Sequence, residues 1–552
     1  MAGTDNPVRR FRAFFRHADS VPSGAGGRSV PERSLVVDWQ RLADFDPDLA
    51  DRLLAHPDAT VGYAREALTS MGVTCASTGR LPQLRFRNLP TDTPPEDLAT
   101  VQCGQLVSIS GRVVATTDVR PILTVITVEC QQCGTATKGR YFGLATPEIE
   151  SCWSCGRDEN VSVTMDSDCI DTQYARLSVP DSVGAARRET IHVRLDGALT
   201  AVTPGELVTV TGVARPCQRT ELNPAPTVQT RFVDCSDIVL RDLGLEPTRA
   251  EPTWTLGDLA ARPTYLGALA NAVAPSVPGF WLAKLVLALL YVTPTPVGSQ
   301  SSESGPNILL LASDTSHRRR ILEAFCELDP ATRYQSLPES SSPPIVAEVE
   351  KRASRWWVET GPVVQAAGGI AAVDGIEYLA ETQRPFLIPA LTKPRVRLAK
   401  AGIDISLDTC ARLVATATPT VEHPEDLQNA APLNDDVLEL FDLQVTDGAA
   451  ETISQSELTQ VWVEGTDTVS ASDDVTYDRP ETEVYRSALT QARYMGQPEI
   501  DAAALDRLRE SHCDRAVVTW AATALAQLCG RQSVQPRDVS RAERVAALLD
   551  SM

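Results

Sequence analysis

Lysine is scarce in this chain. Lys138, Lys284, Lys351, Lys393 and Lys400 are the five among 51 Lys and Arg, against 72 Asp and Glu. The formal charge of −21 excludes a uniformly basic coat, although local basic patches can persist on an acidic body. An acidic surplus with so little lysine suits a surface kept hydrated in concentrated salt, and an extreme halophile is the expected host.

Long apolar runs are missing as well. No stretch reaches the roughly 20 residues that a membrane-spanning helix needs, and no apolar run at the start resembles a signal peptide. The longest apolar segment, Trp281 to Val292, carries Lys284 and reads as a core helix. Nine of the 13 cysteines are scattered, which suits a reducing cytosol better than a disulfide framework. A soluble protein of the cytosol is expected. At 552 residues and 43% apolar content the chain can build several cores, and three or four domains are the prior.

A third absence is local. Asn307-Ile308-Leu309-Leu310-Leu311 reads as a buried strand feeding a turn and a helix, the shape of a phosphate-binding strand–loop–helix. Its loop, Ala312-Ser313-Asp314-Thr315-Ser316-His317, contains no glycine, and no Lys-Ser/Thr pair follows. A triphosphate cradle needs glycines so that backbone N–H groups can approach the phosphates, a Lys charge, and a hydroxyl for Mg²⁺. The frame is there without its chemistry.

What is present divides the chain. Residues 1–80 read as helical with one short strand at Ser34 to Trp39, and residues 81–243 as short strands between turns, a small barrel or sandwich. A polar linker is expected over 244–256. Over 257–450, helices alternate with strands (Asn307–Leu311, Ile370–Val373, Leu413–Ala415), which predicts an α/β sheet. Residues 451–481 read as an exposed acidic connector and 482–552 as a helical close. The fold class is therefore multidomain, α+β followed by α/β.

Cys130-x-x-Cys133 and Cys152-x-x-Cys155 stand eighteen residues apart, each pair followed by glycine. Two such knuckles present four thiolates tetrahedrally, which suits a closed, structural Zn²⁺ site over about residues 128–158. Two disulfides or inert core thiols are the alternative.

Over nearly its whole length the chain resembles the MCM family of replicative DNA helicases. The resemblance rests on Ser34-Leu35-Val36-Val37-Asp38-Trp39, Leu84-Arg85-Phe86-Arg87-Asn88-Leu89-Pro90, Val119-Arg120-Pro121, Asp171-Thr172-Gln173 and Pro204 to Gly212. Ala367 to Asp374 and Ala399-Lys400-Ala401-Gly402-Ile403 extend it. It implies a collar of helical subdomain, OB barrel and inserted zinc ribbon, then an AAA+ core and a helical lid, assembled as a hexameric ring around DNA. The winged helix found in many relatives is expected to be absent.

The resemblance also sharpens the departures. Arg318 and Arg319 hold the Walker A lysine and hydroxyl positions, and Asp374 keeps the Walker B aspartate. Gly375 replaces the family's glutamate, and Glu377 is expected to point elsewhere. Thr418-Pro419 stands at sensor 1, Leu440 at the arginine-finger position, and Arg515 is displaced at sensor 2. Removing a finger alone costs on the order of 10³–10⁵ in rate, so ATP and Mg²⁺ as working cofactors are doubtful. Arg318 and Arg319 could hold a phosphate at a helix start; the simpler reading is a solvated arginine cluster paired with acidic neighbours.

Arg120, Arg176, Arg187, Arg188, Arg395, Arg397 and Lys400 are the candidates for contact with DNA, with structural ion pairs as the alternative. Concentrated salt weakens phosphate contacts, so such binding must rest on more than charge. The expectation is a non-catalytic subunit or regulator of an MCM ring, with DNA and MCM subunits, itself or a paralogue, as partners. The rivals are a stand-alone single-strand DNA-binding scaffold of a mobile element and an active helicase with an unconventional nucleotide site.

Overall fold

The computed structural model describes residues 6–17, 28–30, 34–75, 81–90, 92–93, 104–140, 152, 154–155, 161–163, 168–180, 188–216, 231–240, 254–293, 305–312, 314–328, 332–338, 344–352, 355–419, 433–447, 453–463, 477 and 479–550. They form two compact units. The first comprises Met1–Asp242 with Val349–Glu359, the second Leu243–Glu348 with Thr360–Met552.

The first unit opens with helices whose starts are written in the sequence. Asp38 accepts from the N–H groups of Gln40 and Arg41 ahead of Trp39–Phe45. Asp46 accepts from Leu49 N–H ahead of Pro47–Ala55. Proline occupies the first turn of that helix and of Pro57–Ser70, where its missing N–H costs nothing. Phe11, Phe14 and Phe15 of helix Pro7–His17 are buried with Leu42, Leu49, Leu53 and Leu68. Strands Ser34–Asp38 and Gln83–Arg87 pair in parallel beside them.

The strand-rich region is a closed barrel. Leu106–Thr117 pairs antiparallel with Leu207–Pro216, which pairs antiparallel with Arg231–Leu240; that strand runs parallel to Arg188–Asp196. Arg188–Asp196 pairs antiparallel with Asp168–Pro180, which returns to Leu106–Thr117. A bulge at Thr211/Gly212 helps turn the sheet, and a Cβ on Gly212 would lie 2.4 Å from the Asp234 carbonyl oxygen. Asp237, 1% exposed, takes Arg87 at 2.8 Å and Arg85 at 2.5 Å, tying the Gln83–Arg87 strand to the barrel. From the barrel, Arg120–Cys130 runs outward as an arm, pairing with Ala136–Arg140 and Val161–Val163.

The second unit holds a five-stranded parallel sheet. Its strands in chain order are Ile308–Ala312, Arg333–Ser336, Ile370–Asp374, Arg412–Ala417 and Leu443–Asp447, arranged 2-3-4-1-5. Ile308–Ala312 and Ile370–Asp374 are buried at every position, as their unbroken apolar runs require. Helices Tyr265–Val273, Trp281–Val292, Arg479–Arg493, Arg515–Leu528 and Pro536–Asp550 share a core with this sheet. Among the described residues no helix is long and apolar enough to cross a membrane.

One expectation fails in part. The stretch read as an acidic connector contains helix Gln455–Trp462, started by a Ser454–Glu457 capping box, with Leu458, Val461 and Trp462 buried. The apolar residues recur at helical spacing and dominate over the acidic composition around them.

Candidate functional site

The turn after Ile308–Ala312 is filled from within. Asp314 accepts from the N–H groups of Ser316 (2.9 Å) and His317 (3.1 Å) and from the Ser316 hydroxyl, and its other oxygen meets His317 Nδ1 at 2.5 Å. The backbone bond from His317 and the Ser316 hydroxyl bond hold this carboxyl down at about 2. The first turn of helix Thr315–Leu328, where an anion would otherwise find donors, is satisfied by the chain's own carboxylate.

Arg318 fills the other pole. It is 3% exposed, not part of a solvated cluster as the sequence suggested, because it shares the inward face of its helix with Ile321, Leu322 and Phe325. Its Nη1 donates to Thr418 Oγ1 at 2.7 Å, its Nε lies 3.3 Å from Asp374, and its Nη2 lies 3.5 Å from Glu377. Asp374 accepts from Thr416 Oγ1 at 2.6 Å, and Glu377 accepts from both the N–H and the hydroxyl of Thr418.

Glu377 therefore converges on the site, contrary to expectation. Gly375 takes a left-handed backbone (φ 75°) and the short 3₁₀ turn Ile376–Tyr378 follows, which swings Glu377 back toward Thr418. A side chain at position 375 would meet Pro338 at 2.8 Å as well as that backbone conformation.

Arg319, on the outward face, pairs with Glu323 at 2.8 Å. Leu440 is buried, its carbonyl accepting from Asn307, and Asp514 caps helix Arg515–Leu528.

The cysteines behave differently. Sγ atoms of Cys130, Cys133, Cys152 and Cys155 all lie within 4.8 Å of one another, with Cys130–Cys155 and Cys133–Cys152 both at 3.7 Å. These are free thiols, not disulfides. Metal–sulfur bonds of about 2.3 Å put the edges of an S₄ tetrahedron near 3.8 Å, so the donor set fits a tetrahedral metal. Gly134 adopts φ 69° and its N–H returns to the Cys130 carbonyl at 2.8 Å, which closes the knuckle. Hydrogen bonding from Thr135 lowers the Cys133 thiol to about 6, toward the thiolate that a metal needs.

Among the described residues, the arginines and the lysine expected to meet DNA sit in two settings. On the barrel, Arg120 pairs with Asp118 at 2.5 Å and Arg176 with Glu359 at 2.6 Å. Arg187 and the side chain of Arg188 lie outside the described residues. In the second unit, hairpin strands Arg395–Lys400 and Ile403–Asp408 bury Val396 and Leu398 and expose Arg395, Arg397 and Lys400. Arg395 pairs across the hairpin with Asp408 and Arg397 with Asp404, cancelling most of the local charge.

The sequence reading missed one element at the barrel. Residues Ala347–Arg352 and Arg355–Thr360 form two strands, and the second pairs with the barrel strand through Trp357–Thr117, Val358–Thr116 and Glu359–Ala115. Trp356-Trp357 in a run of alternating residues was the available signal.

Comparison with known proteins agrees with this architecture. Residues 94–218 match the family model of the MCM OB domain, and residues 253–460 that of the MCM P-loop domain. The chain is 22% identical to DNA helicase MCM8 of Mus musculus, over 75% of this chain and 56% of that protein. It is 25% identical to DNA replication licensing factor mcm4 of Xenopus tropicalis (71% and 48%) and 22% identical to minichromosome maintenance protein MCM of Saccharolobus solfataricus (70% and 60%). The chain thus spans about half the length of the curated relatives it matches. Two domain models of one family, matched in order along a barrel and a parallel α/β sheet, show that this chain belongs to the MCM family.

Proposed function

We propose that this chain acts in DNA replication as an MCM-family, DNA-binding subunit that does not hydrolyse ATP. The observation that carries the reading is the burial of Arg318 between Asp374, Glu377 and Thr418, with Asp314 capping the same turn. Phosphoryl transfer needs a cation at the phosphates and a free carboxylate for metal. Here the aspartate that could hold metal is already engaged with a guanidinium. Nucleotide entry would have to break a buried ion pair and displace a capping carboxylate.

The role that fits is a non-catalytic member or regulator of an MCM ring, a hexamer in the family reading. Its organisation would be a helical subdomain (1–80), an OB barrel (81–243), a degenerate AAA+ core (257–450) and a helical lid (482–552). The tetrahedral cysteines would take Zn²⁺ as a structural ion, fixing the arm without an open coordination position. The net charge of −21 with five lysines supports a halophilic archaeal host, and the scattered cysteines support a cytosolic home. Contact with DNA would fall to the barrel arginines and to Lys400.

Two measurements test this. ATP turnover of the purified chain, with and without single-stranded DNA, is expected to match the Asp374→Ala variant. DNA-stimulated turnover by the natural chain would end the non-catalytic reading and favour an active helicase with an unconventional nucleotide site. Affinity capture at native salt is expected to recover intact MCM subunits; recovery of DNA alone would leave a stand-alone single-strand binder.

A further inference from the structure

The barrel strand Leu106–Thr117 outruns its neighbour. Leu207, the first residue of Leu207–Pro216, stands opposite Arg112, so Ala115–Thr117 extend past that partner. Such an exposed edge invites an added strand. Residues 357–359 take it with a ladder of three residues.

The side chains brought by this strand form a pattern. Trp357, 4% exposed, packs on Ala115 and Tyr174 and meets the His192 ring edge-on at 6.2 Å. The Arg176 guanidinium lies 5.9 Å from the Trp357 ring centre and donates to Glu359 at 2.6 Å. The other Glu359 oxygen takes Arg352 at 2.5 Å. Arg355 stacks over Tyr174 at 4.6 Å. Trp357 and Glu359, two apart on one strand, point to the same face. The barrel thus receives one flat ring against an aromatic and a guanidinium, and one anion shared between arginines. A nucleotide of a single strand offers those same two features, a base and a phosphate.

We propose that the barrel face formed by Tyr174, Arg176 and His192 is a nucleotide-type site for single-stranded nucleic acid, filled in this chain by Trp357 and Glu359 as an internal competitor. This rests on the DNA-binding reading above and adds where a strand binds and what must leave first. The occupant is held by a three-residue ladder, the Trp357 ring, the Arg355 guanidinium over Tyr174 and one charged pair, a set that a ligand offering equivalent contacts could replace. The neutral state of His192 suits a stacking wall. Burial, then the charges of Arg176 and Arg352, pushes its ring down to about 4.

The test is fluorescence anisotropy of a labelled oligothymidylate with the full chain. Trp357→Ala/Glu359→Gln is expected to bind roughly tenfold more tightly, the factor lost by a site open about one-tenth of the time. Adding Arg176→Ala should remove that gain. Glu359→Gln alone leaves Trp357 in place, so it protects against misfolding, and it should move affinity the same way by a smaller factor. In the natural chain, oligothymidylate should speed amide exchange at residues 357–359. Tighter binding in the variants, lost with Arg176, supports the proposal. Measurable binding by the natural chain with no gain in either variant overturns the competitor and leaves the DNA-binding reading intact. No binding by any form overturns both.

Discussion

The cysteine knuckle and the filled turn are both clusters of metal- or phosphate-type ligands, and they differ in what the chain supplies. At Cys130, Cys133, Cys152 and Cys155, four thiol donors of one kind converge. At Arg318, Asp374 and Glu377, groups of both signs converge and neutralise one another, while Asp314 caps the turn before them. A site is available to a ligand when its charges have no internal partner. Removing water from a carboxylate is costly, and a buried guanidinium already offsets that cost at Asp374.

The largest way to break this contrast is to remove metal from the knuckle. Structural metal sites of this donor type contribute on the order of 10 kcal/mol. Chelation, or Cys130→Ser with Cys152→Ser, is expected to abolish amide protection along 120–130, 136–140 and 161–163. Hydrogen exchange with metal analysis reads both effects; an arm that stays protected without metal would make these inert thiols.

Next comes the ion pair. Asp374→Ala should destabilise the second unit by about 3 kcal/mol, because it removes the nearer of the two carboxylates beside a buried guanidinium. Arg318→Met with Asp374→Asn should cost clearly less than the two single changes summed, a coupling that denaturant titration of the cycle measures. Additive costs would mean that the pair is not formed.

A smaller effect comes from acid. The His192 ring takes its proton near 6.5 in the unfolded chain and near 4 in the fold. The unfolded state therefore binds more protons between those values. Stability from this group is full above about pH 6.5 and declines as pH falls toward 4, by about 3 kcal/mol in all. Comparing denaturant midpoints of the natural chain and His192→Phe across that window isolates it; identical slopes would show that the ring is not held neutral.

The smallest contrast is between two left-handed glycines. Gly375→Ala meets both the backbone preference and Pro338, an expected loss of about 2–3 kcal/mol. Gly134→Ala meets open space and should lose only about 1–2 kcal/mol in the arm. Equal losses in thermal melts would mean that Pro338 yields.

How much was legible follows the range of each interaction. The knuckle could be read because a two-residue spacing and a following glycine fix local geometry by themselves. The apolar strand Ile308–Ala312 could be read because burial on both faces leaves an unbroken run. The inward face of Arg318 was also readable in principle, from Ile321, Leu322 and Phe325 at helical spacing, but its charge argued for solvent. Helix Gln455–Trp462 announced itself through Ser454 and Glu457, three residues apart, and was obscured by acidic composition around it.

By itself, the sequence determined that metal-type thiolates converge, that the phosphate loop has no glycine or lysine, and that the family frame is MCM. Those properties depend on residue type and short spacing. Only the tertiary structure decided that Arg318 reaches Asp374, 56 residues away, that Glu377 returns to Thr418, and that Trp357 and Glu359 lie on Tyr174 and Arg176. Each of those contacts is set by strand order and by one turn of backbone, Gly375 for Glu377 and the overrun of Ala115–Thr117 for Trp357. Partners so far apart in the chain meet only after the sheets have fixed their places.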